Sequence, residues 1–210
     1  MKRFDIITEA DARRLEPGSS VELAPGGHVT PLALDTLRDR RVMVVRLDGR
    51  DVSVDAPPAP ITRLAVASDH TGVALRTALV AILRGRGLAV IESGPAGREP
   101  VDYPDIAAAA ALAVSRGEAD GAIVIDGAGL GSAIAANKVK GVRAAMCTTP
   151  TLARYAREHN GANVLTLGAT LVSTDEAVAI VDMWLSTPMT EPRYIRRLAR
   201  IRAIEEGWSR

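Results

Sequence analysis

Four short segments of this 210-residue chain carry side chains that could do chemistry. Asp69 and His70 stand together in Ser68-Asp69-His70-Thr71-Gly72, directly after the apolar run Leu64–Ser68. A carboxylate there can simply cap a helix, but an imidazole beside it points to proton transfer. The second segment is Asp126-Gly127-Ala128-Gly129-Leu130-Gly131-Ser132. Glycines at alternate positions let backbone N–H groups converge on an anion at the positive end of a helix. The spacing is GxGxG rather than GxGxxG, and no Gly-Lys-Ser/Thr follows, so a dinucleotide site is disfavoured and a P-loop excluded. Asp126 is the ionisable group at the lip of this cradle. It would repel a phosphate, yet it suits a base working beside an enediolate. The third segment, Arg157-Glu158-His159-Asn160-Gly161, ends a helical stretch, where a histidine can also serve only the helix dipole. The fourth is the pair Arg193 and Arg197, four apart on one helical face, with Arg196 and Arg200 nearby. It is either a solvated basic helix or a phosphate clamp. His28 and Cys147 have no partners in the sequence and read as structural.

These segments need elements to hold them, and the pattern from Thr62 onward supplies an alternating series. Strands are expected at Leu64–Ser68, Leu88–Glu92, Gly121–Ile125, Val142–Met146 and Asn163–Leu167. Helices are expected at Val73–Gly85, Tyr103–Arg116, the stretch up to Asn137, Thr151–Glu158, Asp175–Leu185 and Arg193–Glu206. Near-continuous apolar strands separated by helices mean an α/β fold, a doubly wound parallel sheet. In such sheets ligands bind beyond the carboxyl ends of the strands, where Asp69 and Asp126 fall. The chain divides into residues 1–52, a proline-rich linker at 53–61 and a domain over 62–210. The first part reads as a small α+β appendage. It has a capped helix starting at Thr8 with Asp11 at its third position, a strand Ser20–Leu23 and a turn Pro25-Gly26-Gly27. A helix Leu32–Arg40 and a strand Val42–Leu47 follow.

Composition excludes several classes. Charge nearly balances, with 26 basic and 25 acidic residues, so no polyanion binder is indicated. Aromatic residues make up 3%, too few for the stacking platforms of a single-strand nucleic-acid binder. One cysteine excludes an internal disulfide and a cysteine-cluster zinc site. No apolar run approaches 18 residues, and the polar start has no signal core, so a cytoplasmic protein without membrane association is expected.

The motifs SDHTG at 68–72, VDYPD at 101–105, GAGLGSAIAANK at 127–138 and REHNGANVLTLGA at 157–169 resemble the ribose-5-phosphate isomerase B family. So does the Arg193/Arg197 pair. That family also holds galactose-6-phosphate isomerase subunits, and the resemblance spans about 62–206. It implies a Rossmann-like five-stranded sheet, no metal, no cofactor, and a homodimer, or a tetramer, whose sites draw on both subunits. Position by position, it implies that His159 opens the sugar ring and that Asp69 assists at the ring oxygen or hydroxyls. His70 would lie near the phosphate, with Arg193 and Arg197 as clamp. Tyr103 and Asn160 would contact hydroxyls. The Gly127, Gly129 and Gly131 backbone would stabilise the enediolate. Three departures stand out. Many members have Cys where this chain has Asp126, and others have Gly there with Glu at the place of Ser132. Ala128 replaces a common Thr, and Thr170 an Arg. Asp126 is therefore the candidate base; the alternative is that it only orients loop N–H groups while Ser132 or a water moves the proton.

The expected activity is a metal-independent aldose–ketose isomerisation through a cis-enediol(ate), of the ribose 5-phosphate to ribulose 5-phosphate type. A four-carbon tetrulose phosphate is the alternative substrate. A non-catalytic sugar-phosphate binding or scaffold protein is the alternative class, and nucleotide or flavin binding is disfavoured by the missing fingerprint. Residues 1–52 resemble a segment found on some enzymes of bacterial microcompartment operons, which implies a docking or targeting element.

Overall fold

The computed structural model describes residues 2–40, 42–46, 60–97, 99–205 and 207, and divides the chain into two compact units, Met1–Ala56 and Pro57–Arg210. Most of the proline-rich linker, through residue 59, lies outside the described residues.

In the larger unit, strands and helices alternate: β4 (Arg63–Ser68), α3 (Val73–Gly85), β5 (Ala89–Ser93), α4 (Tyr103–Ser115), β6 (Gly121–Asp126), α5 (Leu130–Ala136), β7 (Ala144–Met146), α6 (Pro150–Asn160) and β8 (Val164–Gly168). Helices α7 (Thr174–Ser186) and α8 (Pro192–Glu205) close the chain. The five strands pair in parallel in the order β5-β4-β6-β8-β7. β7 is shorter than the expected Val142–Met146, because Val142 precedes the ladder and bonds the Val139 carbonyl instead.

Alternation along the strands sends successive side chains to opposite faces, and the two faces are filled differently. Leu64, Val66, Ile123, Ile125, Leu165 and Leu167 pack with α3, α6 and α7, around the fully buried Trp184. Ala65, Ala67, Ala122 and Val124 meet the alanines of α4 and Ala136 of α5. Small residues on both sides let α4 lie close to the sheet, so this core needs almost no aromatic side chain.

The smaller unit departs from the α+β expectation. Lys2–Ile7 forms a strand (β1), followed by α1 (Glu9–Arg14), β2 (Ser20–Val29), α2 (Pro31–Asp39) and β3 (Met43–Arg46). The sheet is all parallel, in the order β1-β2-β3, so the unit is itself a small α/β layer. Pro25-Gly26-Gly27 is an irregularity inside β2 rather than a turn between elements. The register steps from Phe4↔Leu23 to Ile6↔His28, with Gly26 at φ 76°. The helix start at Thr8 is a full capping box with Asp11. Ile7, Leu23 and Leu37 centre this unit's own core.

Candidate active site

β4 ends on Ser68, and the chain turns at once through Asp69. The carboxylate closes that turn with one oxygen: Asp69 Oδ1 accepts from the Thr71 N–H (2.8 Å), the Thr71 hydroxyl (2.6 Å) and the Gly72 N–H (3.2 Å). Gly72 is required there, since a Cβ would sit 2.6 Å from Ile125 Cγ2 and 2.9 Å from its carbonyl oxygen. Half-buried His70 accepts at Nδ1 from the Val101 N–H (3.4 Å). It lines a cleft of about 640 Å³ with Thr71, Val73, Ala74, Ala96 and Gly97.

The far wall of that cleft depends on Arg76, which sequence reasoning missed. The buried guanidinium donates to Ser68 Oγ (2.9 Å), the Ser93 and Pro95 carbonyls (3.1 and 2.7 Å) and Glu92 Oε1 (3.2 Å). The signal was available: Arg76 interrupts the apolar face of α3 formed by Leu75, Leu79, Val80 and Leu83.

β6 ends on Asp126, whose 5% exposure already shows that the carboxylate does not stand at a lip. It turns under its own loop. Oδ1 accepts from the N–H groups of Ala128 (2.8 Å) and Gly129, and Oδ2 from the N–H (2.9 Å) and hydroxyl of Ser132. Both oxygens are occupied by the loop, so the expected orientation toward reacting carbons is not observed. Ser132 is wholly buried with its hydroxyl committed to Asp126, so it does not face a substrate either. The carboxylate fills the cradle from beneath. Of the loop donors, Gly127, Leu130 and Gly131 N–H have no protein acceptor among the described residues.

The end of β8 holds the other side of the loop. Thr166 Oγ1 donates to the Gly129 carbonyl (2.7 Å), and Thr170 donates to the Gly127 carbonyl through Oγ1 (2.6 Å) and N–H (3.1 Å). Neither threonine was picked out as an anchor from sequence, since a threonine after a strand has no distinctive spacing. Gly129 takes φ 77°, and a Cβ there would meet the Leu167–Gly168 backbone near 3.0 Å. Tyr103, at the start of α4, lays its ring on Gly131, where a Cβ would fall 2.5 Å from Cε2. The ring is 41% exposed and its hydroxyl borders the loop, as a substrate contact requires.

His159 and Asn160 lie elsewhere. They end α6, capped by Gly161 at φ 54°. The imidazole is stacked on Tyr155 (centroids 4.8 Å apart) and tilted against Tyr194 of α8 (4.4 Å). Asn160 Nδ2 donates to the Tyr155 carbonyl (3.2 Å), and the exposed Arg197 has its guanidinium carbon 5.7 Å from the Tyr194 ring centre. The Arg193 side chain is outside the described ones. Beyond Asn160 the chain bonds the strand beginnings: Asn163 O accepts from Ala122 N–H and Asn163 Oδ1 from Arg143 N–H. His159 is therefore at the amino edge of the sheet and Asp126 at the carboxyl edge. The five residue steps from Gly121 to Asp126 alone span roughly 16 Å between those edges. The candidate residues of one chain thus form two groups at opposite edges of its sheet.

Among the described residues, no group of three or more His, Cys, Asp or Glu could hold a metal ion, and no helix is long and apolar enough to cross a membrane. Cys147 is buried in the core, which pushes its thiol pKa up to about 11.

The model of the ribose/galactose isomerase family matches residues 64–201, which contain both groups of candidate residues. The chain belongs to that family. It is 43% identical to ribose-5-phosphate isomerase B of Escherichia coli over 144 residues, covering 69% of this chain and 97% of the relative. Among solved structures it resembles ribose-5-phosphate isomerase B of Clostridium thermocellum (46% identity, TM-score 0.68, 70% of this chain and 99% of that one). It also resembles the Mycoplasma genitalium enzyme with bound ribulose-5-phosphate (37% identity, TM-score 0.67, 69% and 97%). Members of this family are aldose–ketose isomerases, and the candidate residues include the types that reaction needs. Residues 1–52 fall outside the matched segment.

Proposed function

We propose that this isomerase interconverts ribose 5-phosphate and ribulose 5-phosphate, and that each working site is assembled from two copies of the chain. The observation that carries the reading is the placement of the two half-sites at opposite edges of one sheet. Asp69, His70, Tyr103 and the glycine loop are at one edge; His159, Asn160 and Arg197 are at the other. A sugar phosphate less than 10 Å long cannot touch both in one chain, so the second half comes from a twofold-related copy. Exposed apolar side chains flank each half-site, Leu130 and Ile134 on α5, Leu152 and Tyr155 on α6, and supply surface for such a contact.

In the assembled site, His159 of one copy opens the ring, and Arg193 and Arg197 hold the phosphate. The other copy supplies Asp69, His70 and Tyr103, with the remaining loop N–H groups facing the oxygen that becomes negative. A phosphorylated substrate fits a cytoplasmic enzyme. For residues 1–52 we propose a docking role separate from catalysis. A panel of four-, five- and six-carbon sugar phosphates assayed for isomerisation tests the substrate. Ribose 5-phosphate should give the highest kcat/KM, and a clear preference for a four-carbon substrate would overturn that choice.

A further inference from the structure

We infer that the base moving the proton between C1 and C2 is Asp69, through Oδ2, and that Asp126 is a positioning residue for the glycine loop. The two carboxylates stand at the ends of paired strands and are similarly buried, 6% and 5% exposed, but their oxygens are used differently. Asp126 accepts two donors at each oxygen, all from its own loop and Ser132. To take a proton it would have to give up bonds that shape the loop. Asp69 divides the work. Oδ1 accepts three donors from the turn, whereas Oδ2 bonds no protein group among the described residues and is not sealed from solvent. A carboxylate gripped by one oxygen and open at the other has the fixed orientation and vacant lone pair that a base needs.

Its neighbours fit the role. Thr71, which grips Oδ1, lies against the loop: a Cβ on Gly127 would come 3.9 Å from Thr71 Oγ1. His70 is excluded as the base by its own bond, because Nδ1 already accepts from Val101. A neutral ring then carries its hydrogen on Nε2, which makes it a donor toward an anion. The step balances without a further reactant. Oδ2 takes the C2 proton of the open aldose, the C–H pair becomes the C1=C2 bond, and the carbonyl pair moves to O1. Transfer of the O2 proton to O1 and return of the proton from Asp69 to C1 give the ketose.

This assignment rests on the isomerase reading. The full-length protein is incubated with ribose 5-phosphate in deuterium oxide, and separately with the 1,2-epoxide of a pentitol 5-phosphate followed by peptide mass spectrometry. The unaltered protein should form ketose, incorporate deuterium and become esterified at Asp69. Asp69→Asn, which keeps the Oδ1 acceptor, should lower exchange by roughly 10²–10⁴-fold with KM little changed. Asp126→Asn, which turns an amide donor toward loop N–H groups, should raise KM and lower exchange less than Asp69→Asn does. Ester at Asp126 instead, or exchange at near parental rate in Asp69→Asn, would overturn the assignment. Labelling uses the unaltered chain, so it decides even where a variant fails to fold. Neither ketose nor deuterium in the unaltered protein would overturn the isomerase reading itself.

Discussion

Two atoms of Thr170 converge on one carbonyl. Its hydroxyl and N–H both donate to Gly127 O, fixing the first peptide of the loop from the end of β8. Thr170→Val removes one of the two bonds and keeps the shape. It should cost about 0.5–1.5 kcal/mol of stability and lower kcat several-fold, read from denaturant melts and steady-state kinetics. Thr170→Ser should restore both, which a loss of packing alone would not do. Two glycines separate shape from binding in the same loop. A methyl group at Gly168 would lie 2.7–2.9 Å from the Ala128 backbone, which cannot yield without moving the loop. A methyl group at Gly131 would first meet the tip of the Tyr103 ring, which can swing away. Gly168→Ala should therefore lower the melting temperature and the activity together, while Gly131→Ala should leave melting nearly unchanged and raise KM.

At the scale of elements, the beginnings of β4 and β6 are joined by one carboxylate. Asp120 accepts from the Arg63 guanidinium (2.7 and 3.2 Å), the Arg63 N–H (2.8 Å), and the Thr62 N–H and hydroxyl (3.0 and 2.8 Å). The Arg63 guanidinium above all holds this carboxyl well below the usual carboxylate range; burial opposes it, and the Thr62 and Arg63 N–H and hydroxyl bonds add to the lowering. A depressed native value means stability that is present above the unfolded value, about 3.9, and is lost as pH falls toward the native one. Asp120→Asn should thus cost about 1–2 kcal/mol in urea melts at pH 7, with the gap to the parent narrowing below about pH 4. The elements themselves were largely legible. Period-two apolar runs and glycine stops located β4, α3, β6 and β8 within a residue or two, because local pattern and final burial agree there. β1 was not legible, since Lys2, Arg3 and Asp5 break the apolar pattern of a strand that is exposed along most of its length. The direction of the Asp126 carboxylate was not legible either. Whether a side chain at a strand end faces outward or folds under its own loop depends on which N–H groups lack partners, and only the folded loop decides that.

The whole molecule contains a unit outside the matched segment, and candidate site residues at opposite edges of one sheet. The motifs all lie after Pro57, where the second compact unit begins, and each unit has its own buried cluster. Removal of residues 1–57 should leave a folded protein with kcat/KM changed by no more than a few-fold, checked by circular dichroism and the ribose 5-phosphate assay. The separation of the candidate residues has a sharper consequence. Asp69 is at the carboxyl edge of the sheet, and Arg197 packs by the Tyr194 ring that rests on His159, at the amino edge. If each site takes one edge from each copy, a chain with Asp69→Asn is defective in one half and a chain with Arg197→Ala in the other. Either variant alone forms dimers in which both sites are damaged. Mixed dimers hold one doubly damaged site and one built entirely from intact halves. Equal amounts refolded together should reach about a quarter of the parental activity, since half the dimers are mixed and half their sites are whole. Activity staying at the level of the separate variants, with mixed dimers verified by mass, would mean that Arg197 acts on the site of its own chain.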